Sequence, residues 1–171
     1  MFDRGSVIAV LAVAVAMTAC SSDDGSGVTA VTAFPEPVAL EGSAEDVITD
    51  RQDLSNIAGA IADWIADDPG REGVLRHGRG VTLFLPNNDG FSAEDAAAVV
   101  SDFDQFTVFI SEHLKIGIVK SDEFGDSIST AMGVSYPIVE GTIGGRLIVE
   151  TDIEATNGFI HIIDGPLVPI D

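Results

Sequence analysis

Thr156-Asn157-Gly158-Phe159-Ile160-His161-Ile162-Ile163-Asp164-Gly165-Pro166-Leu167-Val168-Pro169 decides how the rest of this chain is arranged. Asn157-Gly158 is a turn dipeptide that accepts positive φ, and Gly165-Pro166 punctuates the far end. Between them Phe159 to Ile163 is apolar except for His161, so both faces of the predicted strand are apolar. A strand of that kind belongs in the middle of a structure. Because it stands near the C-terminal end of the sequence, earlier strands must leave a slot that the last residues fill.

Working outward, the longer stretch DIEATNGFIHIIDGPLVP from Asp152 is similar to the closing motif of fasciclin domains, Asn-Gly-hydrophobic-Ile-His-hydrophobic-Ile-Asp with a Leu/Val-Pro tail. Upstream, Val81-Thr82-Leu83-Phe84-Leu85-Pro86-Asn87-Asn88-Asp89-Gly90-Phe91 resembles the first motif of the same family, with Asn87 for the usual Thr and Gly90 for the usual Ala. Order and separation both fit, over residues 44–171. The resemblance implies an α+β fold, a β-wedge of two sheets flanked by several short helices. It also marks His113, Asn157, Gly158, His161 and Asp164 as motif positions with structural roles. Fasciclin domains carry a Tyr-His pair where this sequence has Glu112-His113.

The chain has 28 Asp plus Glu against 8 Lys plus Arg, a formal charge of −20. Such a field repels phosphate backbones, so nucleic acid is not an expected partner. The 46% hydrophobic and 21% charged content is that of a globular chain, and 171 residues suffice for one ordinary domain without staples.

One cysteine, Cys20, leaves no intramolecular disulfide and no cysteine-built metal site. Val7 to Met17 is an apolar run too short for a bilayer span of roughly 20 residues. Met17-Thr18-Ala19-Cys20 follows it and resembles a bacterial lipoprotein signal with its lipobox. The expected organisation is a signal peptide over residues 1–19, a lipidated Cys20 with a flexible tether over 20–43, and a fasciclin-like domain over 44–171. The tether, rich in Ser, Gly, Ala, Pro and acids, has a root-mean-square span of roughly 25 Å. This places the domain outside the cytoplasm, anchored to the envelope membrane through lipid.

Leu54, Ile57, Ala58, Ile61, Ala62 and Ile65 predict a helix, with Asp53 as its N-cap, Pro69-Gly70 as its stop and Trp64 at the edge of its stripe. Arg71 to Gly80 reads as a polar connection whose arginines pair with the protein's own carboxylates or receive an anion. Val81 to Leu85 is a strand. Ser92 caps one helix and Ser101 a second, whose stripe is Phe103, Phe106, Ile110 and Leu114, with His113 beside it. Strands are expected at Ile116 to Val119, Ile128 to Tyr136, Ile138 to Thr142, Arg146 to Glu150 and Phe159 to Ile163. Early helices and late strands favour α+β over alternating βαβ units.

No phosphate loop, dinucleotide glycine fingerprint, His-Glu-x-x-His or elbow serine occurs, so the sequence names no cofactor and no catalytic group. Asp122, Glu123 and Asp126 lack the Gly and closing Glu of a calcium loop. In animal fasciclin adhesion proteins an Asp-Ile pair before the Ala-Thr-Asn-Gly turn is assigned to integrin contact, and Asp152-Ile153 stand there in this chain, followed by Glu154 where the motif has Leu. Asp152, Ile153 and Glu154 are therefore the candidate binding residues, Asp152 and Glu154 facing outward and Ile153 inward. The expected function is non-catalytic adhesion or binding to a cell-surface or matrix protein or polysaccharide. The alternative is a lipid or glycan ligand held in a groove of the domain.

Overall fold

The computed structural model describes residues 42–167. Helices come first: α1 (Ala44–Asp50), a 3-10 turn (Gln52–Leu54), α2 (Ser55–Asp67), and a second 3-10 turn (Pro69–Arg71) leading into α3 (Glu72–Leu75). Strand β1 (Val81–Pro86) then precedes α4 (Ala93–Val100) and α5 (Phe103–Glu112). The remainder is β apart from a third 3-10 turn (Ser121–Glu123): β2 (Leu114–Ile116), β3 (Ser127–Ser129), β4 (Ser135–Val139), β5 (Thr142–Ile143), β6 (Arg146–Ala155) and β7 (Gly158–Ile163). The expected α+β architecture is present.

The strands follow the order β2-β1-β7-β6-β5-β4-β3. The closing strand β7 lies between β1, which it meets in parallel from Val81↔Gly158 to Pro86↔Ile163, and β6, which it meets antiparallel. Every residue of β1 and β7 is buried. Alternation divides their side chains between two layers. Val81, Leu83, Leu85, Ile160 and Ile162 pack under the helices with Trp64, Phe91 and Phe106. Phe84 and Ile163 turn the other way and meet Ile128 and Ile143 of β3 and β5. The short late strands thus cover the second face of the central pair, which gives the wedge.

Helix starts follow side-chain chemistry. Ser43 and Ser92 each form a capping box, with Asp46 and Asp95 accepting from the serine hydroxyl and amide. Those hydrogen bonds hold both carboxyls below the ordinary value. Two expected caps differ. Asp102 rather than Ser101 caps α5, since its carboxylate accepts from the amides of Asp104 and Gln105 while Ser101 donates back to Ala98. Asp53 does not cap α2, because Arg51 holds its carboxylate at 2.7 Å. Asn88 supplies the acceptor, taking the Asn56 amide at 3.1 Å and donating to Gln52 and Ser55.

Trp64 is fully buried, edge-on to Phe106 with its Nε1 donating to Thr107, so it packs in the core from its place near the edge of the α2 stripe. The segment expected as a polar connection contains α3 with a buried Leu75. Its Arg71 pairs with Asp67 and its Arg76 with Glu72 and Glu45. The single strand expected over Ile128 to Tyr136 is the hairpin β3–β4. Its turn has Thr130 donating to the Val134 carbonyl and Gly133 at φ 81. Strand β2 stops at Ile116 because Gly117, at φ 105, bends the chain onto Thr82, whose hydroxyl donates to the Gly117 carbonyl and accepts from the Val119 amide.

Gly158 and Gly59 should respond oppositely to alanine. A Cβ on Gly158 meets the Val81 carbonyl oxygen at 1.7 Å, whereas one on Gly59 in α2 meets nothing. Gly158→Ala is expected to cost about 3 kcal/mol or more by prising β7 from β1. Gly59→Ala is expected to gain about 0.5–1 kcal/mol through helix propensity. Denaturant midpoints of the two variants check both signs.

Candidate functional site

The hairpin β6–β7 carries most of the residues singled out in the sequence, and the structure shows what each side chain touches. Asn157 is half-buried and ties three elements together, two through its side-chain amide and one through its main-chain carbonyl. Its Nδ2 donates to the Leu75 carbonyl at 2.7 Å, and its Oδ1 accepts from the Ala44 amide at 2.8 Å. Its own carbonyl accepts from Val81 at 2.9 Å. The expected left-handed turn is not how Asn157 works, since its φ is not positive. Its side-chain bonds fix the choice of residue, and Gly158 is fixed by the close approach to Val81.

His161 is buried, stacked on Phe84 at 5.0 Å and edge-on to Phe124 at 4.9 Å. Its Nδ1 accepts from the Asp152 amide at 3.2 Å, so Nε2 carries the proton and donates to the Val119 carbonyl at 3.1 Å. Burial lowers its pKa, against that bond and the Asp152 charge.

Asp152 departs from its expected outward orientation. Bulges interrupt β6 between Ile148 and Glu150 and between Glu150 and Ile153, and Asp152 adopts φ 59. This turns its carboxylate onto Ser121, whose amide and hydroxyl both donate to it. Burial pushes the Asp152 carboxyl up, but the Ser121 bonds outweigh it and hold the group below the ordinary value. Ile153 is buried opposite Ile160, and Glu154 is exposed. Asp164 is exposed, yet it exchanges two hydrogen bonds with Leu147, one from its amide at 3.0 Å and one through Oδ1 at 2.9 Å.

His113 caps the C-terminus of α5 and is fully buried against Phe109 at 4.4 Å. Its Nε2 accepts from the Leu167 amide at 2.9 Å, so Nδ1 bears the proton and donates to the Phe109 carbonyl at 2.7 Å. Burial lowers its pKa from 6.5 to about 4, against the Phe109 bond. The neighbouring Glu112, at the position where the resemblance leads one to expect Tyr, is also buried and accepts from the Tyr136 hydroxyl at 2.9 Å. Burial, together with that bond, pushes the Tyr136 phenol up to about 12. Tyr136 reaches Glu112 from β4, a pairing across 24 positions that the sequence did not reveal.

The two interior histidines stand apart, each on its own backbone partners. Among the described residues no three His, Cys, Asp or Glu side chains gather as metal donors, and no helix is long and apolar enough to cross a membrane. A groove of about 400 Å³ runs between α2 and α4, lined by Asn56, Gly59, Ala60, Asp63, Ala96 and Ala97 among others. Sequence reasoning had not placed it. Gly59 and the alanines of α4 were the available signal. Cys20 lies outside the described residues.

The fold is thus an α+β wedge whose two interior histidines are both bonded to backbone groups. The fasciclin domain model matches residues 61–169, and the chain belongs to that family, which is linked to cell adhesion. Among solved structures it is similar to the FAS1 domain pair of the insect cell adhesion molecule Fasciclin I, with a TM-score of 0.55 and 16% identity. That match covers 75% of this chain and 51% of the other, so this chain spans about half of the pair, and the likeness is one of fold. A comparison with curated proteins finds no match.

Two outcomes follow from this geometry. In the pH window between about 4 and 6.5 the unfolded chain protonates His113 and the folded one does not. Stability is therefore full above 6.5 and falls as pH drops towards 4, by about 3 kcal/mol for this group. His161 adds in the same direction. Denaturant midpoints across that window should show the fall, and His113→Gln, which does not titrate, should flatten it. Separately, Asp152→Ala leaves the Ser121 amide and the bulge without their acceptor and should cost about 1–3 kcal/mol, while Glu154→Ala should change the midpoint little.

Proposed function

We propose that this protein is an extracytoplasmic, lipid-anchored fasciclin lipoprotein that binds a cell-surface or matrix protein or polysaccharide, without catalysis. The observation that carries the reading is the spending of His113, His161 and Asp152 on the chain's own backbone and on Ser121. Groups that otherwise invite acid–base chemistry are committed to holding strands together, and contact falls to exposed side chains of the closing hairpin. Of the three candidate binding residues, Asp152 supports the loop, Ile153 fills the core beneath it and Glu154 offers its charge outward. Membership of a family linked to adhesion supports the same conclusion.

Anchoring rests on the short apolar run, Ala19-Cys20 and the polar tether, which together present the domain at a distance from the membrane. A second reading, a lipid or glycan ligand, has the groove between α2 and α4 as its seat.

The test uses the intact chain recovered from membranes. Mass analysis should find the N-terminus at Cys20 with acyl chains attached, and a chain starting at Met1 with a free thiol removes the anchor. Vesicles bearing the protein should adhere to native envelope preparations, less so for Glu154→Ala at unchanged stability. Equal adhesion removes Glu154 from the contact. Loss of adhesion in Gly59→Leu, which fills the groove, with none in Glu154→Ala favours the second reading.

A further inference from the structure

The helical layer does not reach the whole sheet. Arg51, the C-cap of α1, ties that helix to the sheet, its guanidinium held by Asp53 and by Glu150 of β6 at 2.7 Å each. Among the described residues, the face of β4, β5 and β6 that turns away from the Ile143 cluster is left exposed at three large apolar side chains. Ile138 and Ile143 pack into that cluster, so their neighbours Val139 and Thr142 point to the other side, and register places Leu147 in line with them through Val139↔Thr142 and Thr142↔Leu147. Val139, Leu147 and Val149 are 56%, 51% and 53% exposed, whereas every residue of β1 and β7 is buried.

Each of these apolar residues has an acidic neighbour, in sequence or through a backbone hydrogen bond. Glu140 follows Val139 and Glu150 follows Val149 in sequence, and Asp164 is hydrogen-bonded to Leu147. Arg51, the cation at this border, is already engaged by two of the protein's own acids. Glu150 is neutralised by Arg51, but two copies meeting through this face still bring Glu140 and Asp164 against one another, within a chain of formal charge −20. A second copy is therefore the wrong occupant, and charge complementarity selects the right one.

We propose that the outer face of β4–β5–β6 is a docking surface for a protein that presents an apolar ridge flanked by lysines or arginines. This goes beyond the adhesive reading above. Leu147 lies on the opposite side of the sheet from Glu154, which shares a side with Phe159, so the two surfaces are separately testable. Apolar burial supplies the attraction, the carboxylate rim sets the sign of the partner, and the same rim keeps copies of this chain apart.

The probe is a synthetic peptide of alternating lysine and valine, compared with a lysine–serine peptide of equal charge and a glutamate–valine peptide of equal apolarity, added to the full chain. The lysine–valine peptide should bind more tightly than either control, should perturb the amide resonances of Val139, Leu147 and Val149, and should weaken with added salt. Leu147→Ser/Val149→Ser should weaken it by about tenfold or more, and Val139→Ser, a smaller change, should act in the same direction. Equal binding of the lysine–serine peptide shows general attraction to an acidic chain and overturns the proposal. So does undiminished binding by both variants, or sedimentation showing a dimer that Leu147→Ser/Val149→Ser dissolves. Adhesion to envelopes that depends on Glu154 while the peptide fails to bind overturns this surface and leaves the adhesive reading standing.

Discussion

The parallel pairing of β7 with β1, closed on its other side by β6, is the constraint on which the remaining structure depends. A central strand buried on both faces needs backbone partners on both edges and apolar partners above and below. The helices supply one layer and the β3–β5 strands the other, so neither layer has a complete core until β7 is in place. Asn157 then fastens the entry to β7 to α1 and α3 across 113 and 82 positions of sequence. His113 holds the exit, taking the Leu167 amide 54 positions away. A strand that arrives last is thus clamped at both ends by groups laid down earlier, and this long-range closure is the kind that makes folding slow.

Burial of the polar groups in this arrangement raises a cost that hydrogen bonding must offset. Among the described residues no buried side-chain nitrogen or oxygen lacks a partner. The fully buried histidines meet that requirement with both ring nitrogens, one donating and one accepting, which fixes their tautomers and excludes the charged form. A protonated ring adds a donor where the Leu167 or Asp152 amide already points, so the charged form of either histidine is at odds with the backbone group it holds.

The closing strand was legible because its signal is local: five consecutive residues, nearly all apolar, bounded by Asn-Gly and Gly-Pro. The cap at Ser92 is local too, although Asp53 shows the limit, since a nearby arginine claimed it. Asn157 read as a turn former because its partners Leu75 and Ala44 are distant in sequence. Asp152 read as outward-facing because strict alternation was assumed along β6, and two bulges break it. The β3–β4 hairpin was missed because Ile128 to Tyr136 is apolar enough for one strand, with Gly133 the sole local mark of the turn. Motif, pattern and cap chemistry carry information over a few residues. Register and side-chain convergence need the sheet.

Charge has a different bearing on this fold from that of a stabilising network. Arg51, Arg71 and Arg76 are paired to the protein's own acids, and Arg146 donates to the Pro166 carbonyl beside the end of β7. These exposed and half-exposed pairs contribute little individually, of order 0–1 kcal/mol. Their consequence is for the surface: with so many cations spent on intramolecular positions, the acids dominate the exterior field. An exterior of one sign permits an apolar strip such as Val139–Leu147–Val149 to stay open without self-association, because any approach of a second copy brings the carboxylates together first. The acidity and the uncovered face are therefore linked, and a partner that closes the face must bring the cations this chain has committed elsewhere.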